Sequence, residues 1–535
     1  MTAIATFGWD TAFAVGFTSL NGAIKLAGSS PAAFAGCFTD LQGVKHEVVA
    51  SFGAWQLSGG SGDLVHLELP LLNGQVTVAE GQPRPFTGAA IIEVKLSYRA
   101  RPGSPKVLDL MVAPEPHAEV ISVDLGDASL DVPVQTALAE WLQTHLSSFS
   151  QVFTTVTLDR TSTQPAFQWL QPTATGYAVY SDGREDPANA VFGILAMTEQ
   201  RAATNVPEID PDIIPTAGAT GLLIAQQRLV DKIIMPNLQL LFRGATPADF
   251  SLADDGLTIV NKSVLTPQNL VLEDDRVVTD ATIAPGNFAL DVFGDSIRMT
   301  ITDLHFTWMS GFNIHIDYIG TGQLSMTGEQ EMLLGNNEAA EVSFMITKTD
   351  AEKWKEIYEY IGIGVGLSVI GAVVGGLAGK LGPVVTAIYK TVTTGIVQGI
   401  KDATGNQVTF SFKGLPDSQI PDFEKYRAQN SRDAAQDIRN LGNADYQASL
   451  FGWFPRSWRK ILGGTLASVG GQDSGKVADI LDAVAEAKSD AIPTPDAMAL
   501  DTVAACSWPN LKNPKLTSLD ISGALRLGLK LETQE

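Results

Sequence analysis

Cysteine is nearly missing from this chain. Cys37 and Cys506 are the only two in 535 residues, so neither a zinc-finger spacing nor a redox pair can be built from them. A single long-range disulfide stays open, and nothing in the sequence predicts it. Positive charge is also scarce: 36 Lys+Arg stand against 59 Asp+Glu, for a net charge of -23 and a pI of about 4.6. Such a surface repels nucleic acid and anionic membrane at long range, so no nucleic-acid partner is expected. Contact with anionic lipid would need a local basic patch. The N-terminus, MTAIATFGWD, has neither a basic n-region nor a long apolar h-region. A secretory signal is therefore not expected, and synthesis in the cytoplasm is, with release by a non-classical route left open.

Catalytic motifs are missing too. The six histidines are His46, His66, His117, His145, His305 and His315. None forms a metalloprotease pair, and His305 and His315 lie on strands ten positions apart, too far to be called a site. There is no G-x-S-x-G elbow and no active-site cysteine context. Gly470 to Val477, GGQDSGKV, places Gly470, Gly475 and Lys476 as in a phosphate loop. However, Val477 occupies the position where a Ser or Thr would hold magnesium, and the repeated strand–helix context is missing. Asp254-Asp255 and Asp274-Asp275 read most simply as solvated turns. No catalytic residue, metal ligand or cofactor is selected, and the expectation is a protein without enzymatic activity.

What is present is the profile of a folded protein, with 45% hydrophobic and 18% charged residues. Asp10 is a good N-cap, and Phe13, Phe17, Leu20 and Ile24 follow at helical spacing, predicting a helix over Asp10–Ile24. Asp131 is expected to cap a second helix, with Pro133 tolerated in its first turn and Leu138, Leu142 and Phe149 on one side. A third is predicted over Thr220–Met235, stopped by Pro236. Strands are as legible. Ile92, Val94, Leu96 and Tyr98 alternate with polar residues, as do Phe312, Ile314, Ile316 and Tyr318. Leu519, Ile521, Leu525, Leu527, Leu529 and Leu531 share one side near the C-terminus. Each pattern reads as a half-buried antiparallel strand. Helices separated by long β stretches, rather than alternating with them, make an α+β pattern of sheets wrapped on a few helices. Residues 350–500 look mostly helical, with a short strand signal at Gln407 to Phe412.

Within that region, Ile361 to Gly379 is an uncharged run, IGIGVGLSVIGAVVGGLAG, with Gly371, Gly375 and Gly379 on one helix face. At about 19 residues it is just long enough to cross a bilayer. Its glycine load, the Gly382-Pro383 break and the lack of flanking charge asymmetry favour a packed helical hairpin instead, with membrane contact conditional. Phe451 to Lys460, FGWFPRSWRK, is the densest basic-aromatic stretch. Trp453, Phe454, Arg456, Trp458, Arg459 and Lys460 are the membrane-contact candidates there. The bland alternative is a helix start with the tryptophans in the core.

Three segments resemble one family. FGWDTAFAVGFTSLNGAI is similar to the Gly-Trp-Asp opening of the OrfX-type proteins of clostridial neurotoxin gene clusters, and most similar to the branch of their forty-seven-kilodalton accessory protein. GLLIAQQRLVDKIIMPNLQLLF resembles that family's central helix with its proline stop. CSWPNLKNPKLTSLDISGALRLGLKLE resembles its Trp-Pro turn and final strand. The composition departs from that of the Asn/Lys-rich clostridial members, so this chain looks like a distant relative. The resemblance implies a TULIP architecture, the tubular lipid-binding fold of the bactericidal/permeability-increasing protein. In that fold a long helix lies in a curved antiparallel sheet over an apolar groove. It further implies two such units, over 1–245 and 246–535, the second carrying the helical insertion 350–500. Phe13, Phe17, Leu223 and Val230 are then the groove-lining candidates, with plain core as the alternative reading of the same four. The function this implies is non-enzymatic binding of a lipid or other apolar ligand by an accessory component of a toxin gene cluster. Toxin-cluster proteins would be further partners. A pore-forming protein using 361–379, and a protein-interaction scaffold with a closed groove, are the alternatives.

Overall fold

The computed structural model describes residues 3–348, 408–413 and 495–533, apart from 115–117, 163–164, 184–186, 204–205, 216–219, 240–241, 268–269, 272–276, 279, 310–311, 327–331 and 336–340. The chain divides into two compact units. The first is Thr2–Ala225 with Pro495–Ser518 and Ala524–Glu535; the second is Gln226–Thr494 with Leu519–Gly523.

The first unit is built on a 15-stranded sheet. In its middle, Thr11–Gly16 pairs antiparallel with Val191–Thr198 on one side and Thr220–Ala225 on the other, and Thr220–Ala225 pairs with Ala524–Thr533. At one end of the strand order, Cys506–Ser507 pairs with Thr154–Thr157; at the other lies Leu511–Ile521. One short stretch of chain therefore supplies both ends of the order. Trp508, bridged to Leu511, is the corner where those ends meet.

The Asp10–Ile24 helix is corrected by the structure. Thr11–Gly16 is a strand, and only Phe17–Ala27 (α1) is helical. The reason is burial on both faces. Ala14 lies opposite Gly193 and Gly221, Gly193 lies opposite Ala178, and Gly221 lies opposite Gly528. This row of small residues forms a shallow trough. Ile209 and Ile213 press into it so closely that a Cβ on Gly193 would fall 1.9 Å from Ile209 Cδ1, and one on Gly221 2.0 Å from the Ile213 carbonyl. With the trough covered on one side and the interior on the other, the strand carries no polar face. A continuous apolar run cannot be told from a buried helix by its periodicity. The same correction applies to Thr220–Met235: Thr220–Ala225 is a strand, followed by a helical turn, a π-helical turn Leu229–Ile234 and a last turn Met235–Leu238. Pro236 does not stop that segment. It falls in the last turn of one continuous helical run, directly after the π-helical turn, where its missing N–H leaves the regular hydrogen-bond ladder incomplete.

The second helix, Ala128–His145 (α2), begins earlier than its sequence suggests. Asp127 is the cap and accepts from the Ser129 amide at 3.0 Å, whereas Asp131 accepts from the Leu125 amide at 3.1 Å. α2 packs Trp141 against Phe34 and Phe52 of the neighbouring hairpin, with ring centroids 6.1 and 5.5 Å away. Gly36 admits it: a Cβ there would lie 2.8 Å from Ala137 Cβ. The Ile92–Tyr98 alternation falls within the strand Arg84–Arg101, with Ile92, Val94 and Leu96 buried. The C-terminal leucines belong to two strands, Leu511–Ile521 and Ala524–Thr533, separated at Ser522-Gly523, where Gly523 has φ 75°.

The second unit carries an eight-stranded sheet. Its central hairpin joins Ser296–Met309 to Phe312–Met326, which contains the predicted Phe312–Tyr318 strand. The signal at Gln407 to Phe412 is a strand, Val408–Lys413, parallel to Glu341–Lys348. The rest of the predicted helical insertion, up to Thr494, lies outside the described residues. Among the described residues no helix is long and apolar enough to cross a membrane.

Candidate functional site

The first unit's interior is lined by aromatic rings contributed from strands far apart in sequence. Phe13 points away from the small-residue trough and meets Trp508 at 6.1 Å; Trp508 meets Phe192 edge-on at 5.7 Å. Phe192 stacks on Phe153 at 5.8 Å, and Phe153 meets Trp55 at 5.9 Å. All five side chains are buried. The indole N–H groups of Trp55 and Trp508 are buried as well, and neither has a hydrogen-bond partner among the described residues. A buried donor left without an acceptor costs about 1–3 kcal/mol, so two on one ring cluster are notable. Cys506, next to Trp508, is a free buried thiol whose pKa burial pushes up to about 12. Tyr177 stacks on Phe192 at 6.0 Å and is likewise raised to about 12, first by desolvation. The cluster is buried and aromatic, and the groups that titrate beside it, Cys506 and Tyr177, are held in their neutral forms by burial.

The Gly-Trp-Asp opening proves to be an anchor of this unit. Phe7 and Gly8 take φ of 49° and 85°, turning Trp9 into the trough. There its indole N–H donates to the Val206 carbonyl at 2.9 Å, and Gly176 leaves room for the ring. Asp10 is buried; its carboxylate accepts from the Thr198 amide and hydroxyl, each at 2.9 Å, and from Arg201 at 2.6 Å. Asp501, on the helix Pro495–Ala505, repeats the device. It accepts from Arg160 and Gln171, each at 3.0 Å, and from the Ser162 hydroxyl. Asp10 pins the N-terminal segment to the strand Val191–Thr198, and Asp501 ties its helix to the segment 160–171.

Of the four groove-lining candidates, Phe13 and Leu223 fall on opposite faces of the sheet. Phe13 faces the aromatic interior. Leu223 lies on the opposite face of the sheet, in the trough cluster with Ala12, Ala14, Ile209 and Ile213. Phe17 is buried at the start of α1, whose Asn21 side chain bonds both the amide and the carbonyl of Leu57 at 2.7 and 2.9 Å. Val230 is buried in the second unit. Trp453, Phe454, Arg456, Trp458, Arg459 and Lys460, the run 361–379 and the Gly470–Val477 loop lie outside the described residues. Sequence reasoning missed Trp55, Phe153 and Phe192, which nothing in their local patterns distinguishes. It also set aside His305 and His315, and here the structure corrects it. An antiparallel hairpin makes them direct cross-strand partners. The available signal was Ser310-Gly311, a turn dipeptide centred between two alternating runs.

The protein is of the class built from two units of mostly antiparallel sheet, the first of them curved around an aromatic interior. The chain belongs to the OrfX-like family, described as protein OrfX2/OrfX3/P47, whose profile matches residues 6–412. It is similar to protein OrfX3 of Clostridium botulinum (strain Kyoto / Type A2), 28% identical over 287 residues, or 46% of this chain and 57% of that one. It is also similar to protein OrfX3 of Paraclostridium bifermentans, 25% identical over 437 residues, or 72% of this chain and 86% of the relative. The chain thus spans little more than half the length of the botulinum relative. Among solved structures, P47 of C. botulinum E1 aligns over 98% of this chain and 99% of its own, with a TM-score of 0.55 at 13% identity. P47 from C. botulinum A2 aligns over 65% and 84%, with a TM-score of 0.51 at 14% identity. At such identities the likeness establishes the fold. The family resemblance carried by the three sequence segments is borne out.

Proposed function

We propose that this protein is a non-enzymatic accessory component of a toxin gene cluster that holds the acyl portion of a lipid in the aromatic interior of its first unit. On this reading its two units are tubular lipid-binding units of the kind the family resemblance implies, with helices laid against wrapped sheets. The observation that carries the reading is the pair of indole N–H groups, Trp55 and Trp508, with no hydrogen-bond partner among the described residues, set in a buried ring cluster with Phe13, Phe153 and Phe192. An ester or carboxyl oxygen would satisfy such a donor. The chain behind it would be stabilised by about 25 cal/mol for each Å² of apolar surface removed from water. Toxin-cluster proteins are the partners this reading supplies, and a lipid surface is the source of the ligand.

The ring contacts themselves favour a second reading, a protein-interaction scaffold whose interior is filled by its own side chains. Mass spectrometry of an organic extract of the full chain, before and after incubation with phosphatidylcholine vesicles, separates the two. Stoichiometric lipid, reduced several-fold in Trp508→Phe, supports binding. An empty extract with no uptake sinks the lipid reading and leaves the scaffold.

A further inference from the structure

The central hairpin of the second unit carries a side-chain cluster that the aromatic interior does not involve. His305 and His315 face each other across the two strands, with ring centroids 5.6 Å apart. Just before His305 the ladder shifts register between Ile301 and Leu304, a β-bulge. Within it Asp303 takes φ 53°, a left-handed conformation that costs a residue with a side chain about 1 kcal/mol or more. The bulge is held by the Asp303 amide, which donates to Asp317 Oδ1 at 2.8 Å. Bulges re-aim side chains, and this one sets a single carboxylate between two imidazoles. Asp303 Oδ1 is 2.5 Å from His315 Nδ1, and Oδ2 is 3.7 Å from His305 Nδ1. His305 Nδ1 also lies 3.2 Å from the Asp303 carbonyl. The far nitrogen of His305, Nε2, sits 3.0 Å from Thr282 Oγ1, which orients the ring. One donor atom from each of Asp303, His305 and His315 lies within 4.8 Å of the others.

We propose that Asp303, His305 and His315 bind one divalent transition-metal cation of the zinc class, through two imidazole nitrogens and a carboxylate oxygen. The donor set selects the class. Imidazole suits zinc, cobalt and nickel, whereas calcium and magnesium demand oxygen. Three protein ligands with the remaining positions open to solvent is a common zinc arrangement, and bonds of about 2.1 Å at tetrahedral angles place donors about 3.4 Å apart. Reaching that spacing requires the widest pair to close from within 4.8 Å and Asp303 Oδ1 and His315 Nδ1 to part from 2.5 Å, movements open to three partly exposed side chains by rotamer adjustment. Thr282 Oγ1, 3.0 Å from His305 Nε2, is placed to accept a hydrogen bond from its N–H once Nδ1 is metallated, the partner that ligating histidines usually have. Asp317, behind the bulge, and Asp280, whose Oδ2 accepts from the Thr307 amide at 3.0 Å, add negative charge around the site. Bound metal would staple the hairpin, and it does so independently of any lipid in the first unit.

The test is a titration of the chelator-stripped full chain with Zn²⁺ alone, in competition with a chromophoric zinc indicator. One equivalent is expected to bind. His305→Gln, His315→Gln and Asp303→Asn should each weaken it by about tenfold or more. His46→Gln and His66→Gln, which alter two-residue pairs with Asp40 and Glu93, should leave it unchanged. Zinc should also raise the unfolding temperature of the wild type but not of the H305Q/H315Q chain. Co²⁺ provides a second readout, an intense visible band that Asp303→Asn diminishes. The proposal is overturned if the wild type takes up no zinc at saturating concentration, or if H305Q/H315Q binds as tightly as the wild type. It is also overturned if the Co²⁺ band is the same in Asp303→Asn.

Discussion

Asp501 in the first unit and Asp303 in the second are both carboxylates with nitrogen partners, and they differ in what surrounds them. Asp501 is 2% exposed and accepts from an arginine, a glutamine amide and a serine hydroxyl. Asp303 is 43% exposed and shares its two oxygens between two histidines. A buried carboxylate whose lone pairs are taken by permanently protonated or neutral donors has nothing left to offer a ligand, and its role is to hold the fold. A half-exposed carboxylate held by imidazoles keeps lone pairs within reach of a cation. Asp10, tied to Thr198 and Arg201, sits with Asp501 on the structural side of that line. In the first unit the polar groups left unfinished are of another kind, such as the Trp55 and Trp508 indoles, and they face an apolar interior.

If this division holds, substitutions in the first unit should cost stability and leave zinc binding alone, and those in the hairpin should do the reverse. The largest effect is expected from Trp508→Ala, which removes the ring at the corner of the sheet and should cost about 4 kcal/mol in urea unfolding followed by fluorescence. Trp508→Phe, which keeps a ring but removes the unpartnered N–H, should cost about 1 kcal/mol. Equal losses for the two would mean that the N–H is in use. Asp501→Ala should cost about 3 kcal/mol, since it strands Arg160 and Gln171 beside an empty site. A change under about 0.5 kcal/mol would place Asp501 with the surface pairs.

Cys506 provides a pH test of the same interior. Its folded pKa is raised by burial to about 12, from 9.0 for a free thiol. The folded chain therefore holds the proton that the unfolded chain releases. Stability is fully present below pH 9 and falls as pH rises toward 12, by up to about 1.4 kcal/mol per pH unit for this group. Cys506→Ala should flatten that fall in alkaline unfolding curves, with Tyr177 and Tyr98, also raised by burial, supplying the remainder. An unchanged slope would show that the thiol is reached by water.

Asp127→Ala should cost about 1 kcal/mol through the lost cap of α2, and more than Asp131→Ala, measured by thermal unfolding. The smallest effect is expected from His305→Gln in the absence of metal, under about 0.5 kcal/mol, as for a half-exposed strand position. A loss of several kcal/mol there would turn the histidine cluster into a structural ion pair and erase the contrast between the two carboxylates.

Alternation made the strands at Ile92–Tyr98 and Phe312–Tyr318 readable, because each has one face in water or partly so. The same logic failed at Thr11–Gly16 and Thr220–Ala225, where glycines and alanines in register let another segment press onto the second face. Burial on both sides erases the period that distinguishes strand from helix. The family was legible from three short motifs, yet the work those motifs do was not. Asp10 meets Thr198 and Arg201, and Trp508 meets Phe13 and Phe192, across hundreds of residues, and no local pattern encodes such a meeting.

The sequence by itself determined the acidic charge, the alternating strands and the family, since these depend on composition and on neighbours a few positions apart. The tertiary structure alone decided which carboxylates are spent on the fold, which rings form the interior, and that two histidines ten positions apart stand face to face. Those outcomes are set by strand register and a single bulge, and moving the ladder by one residue would send every one of these side chains to the other face.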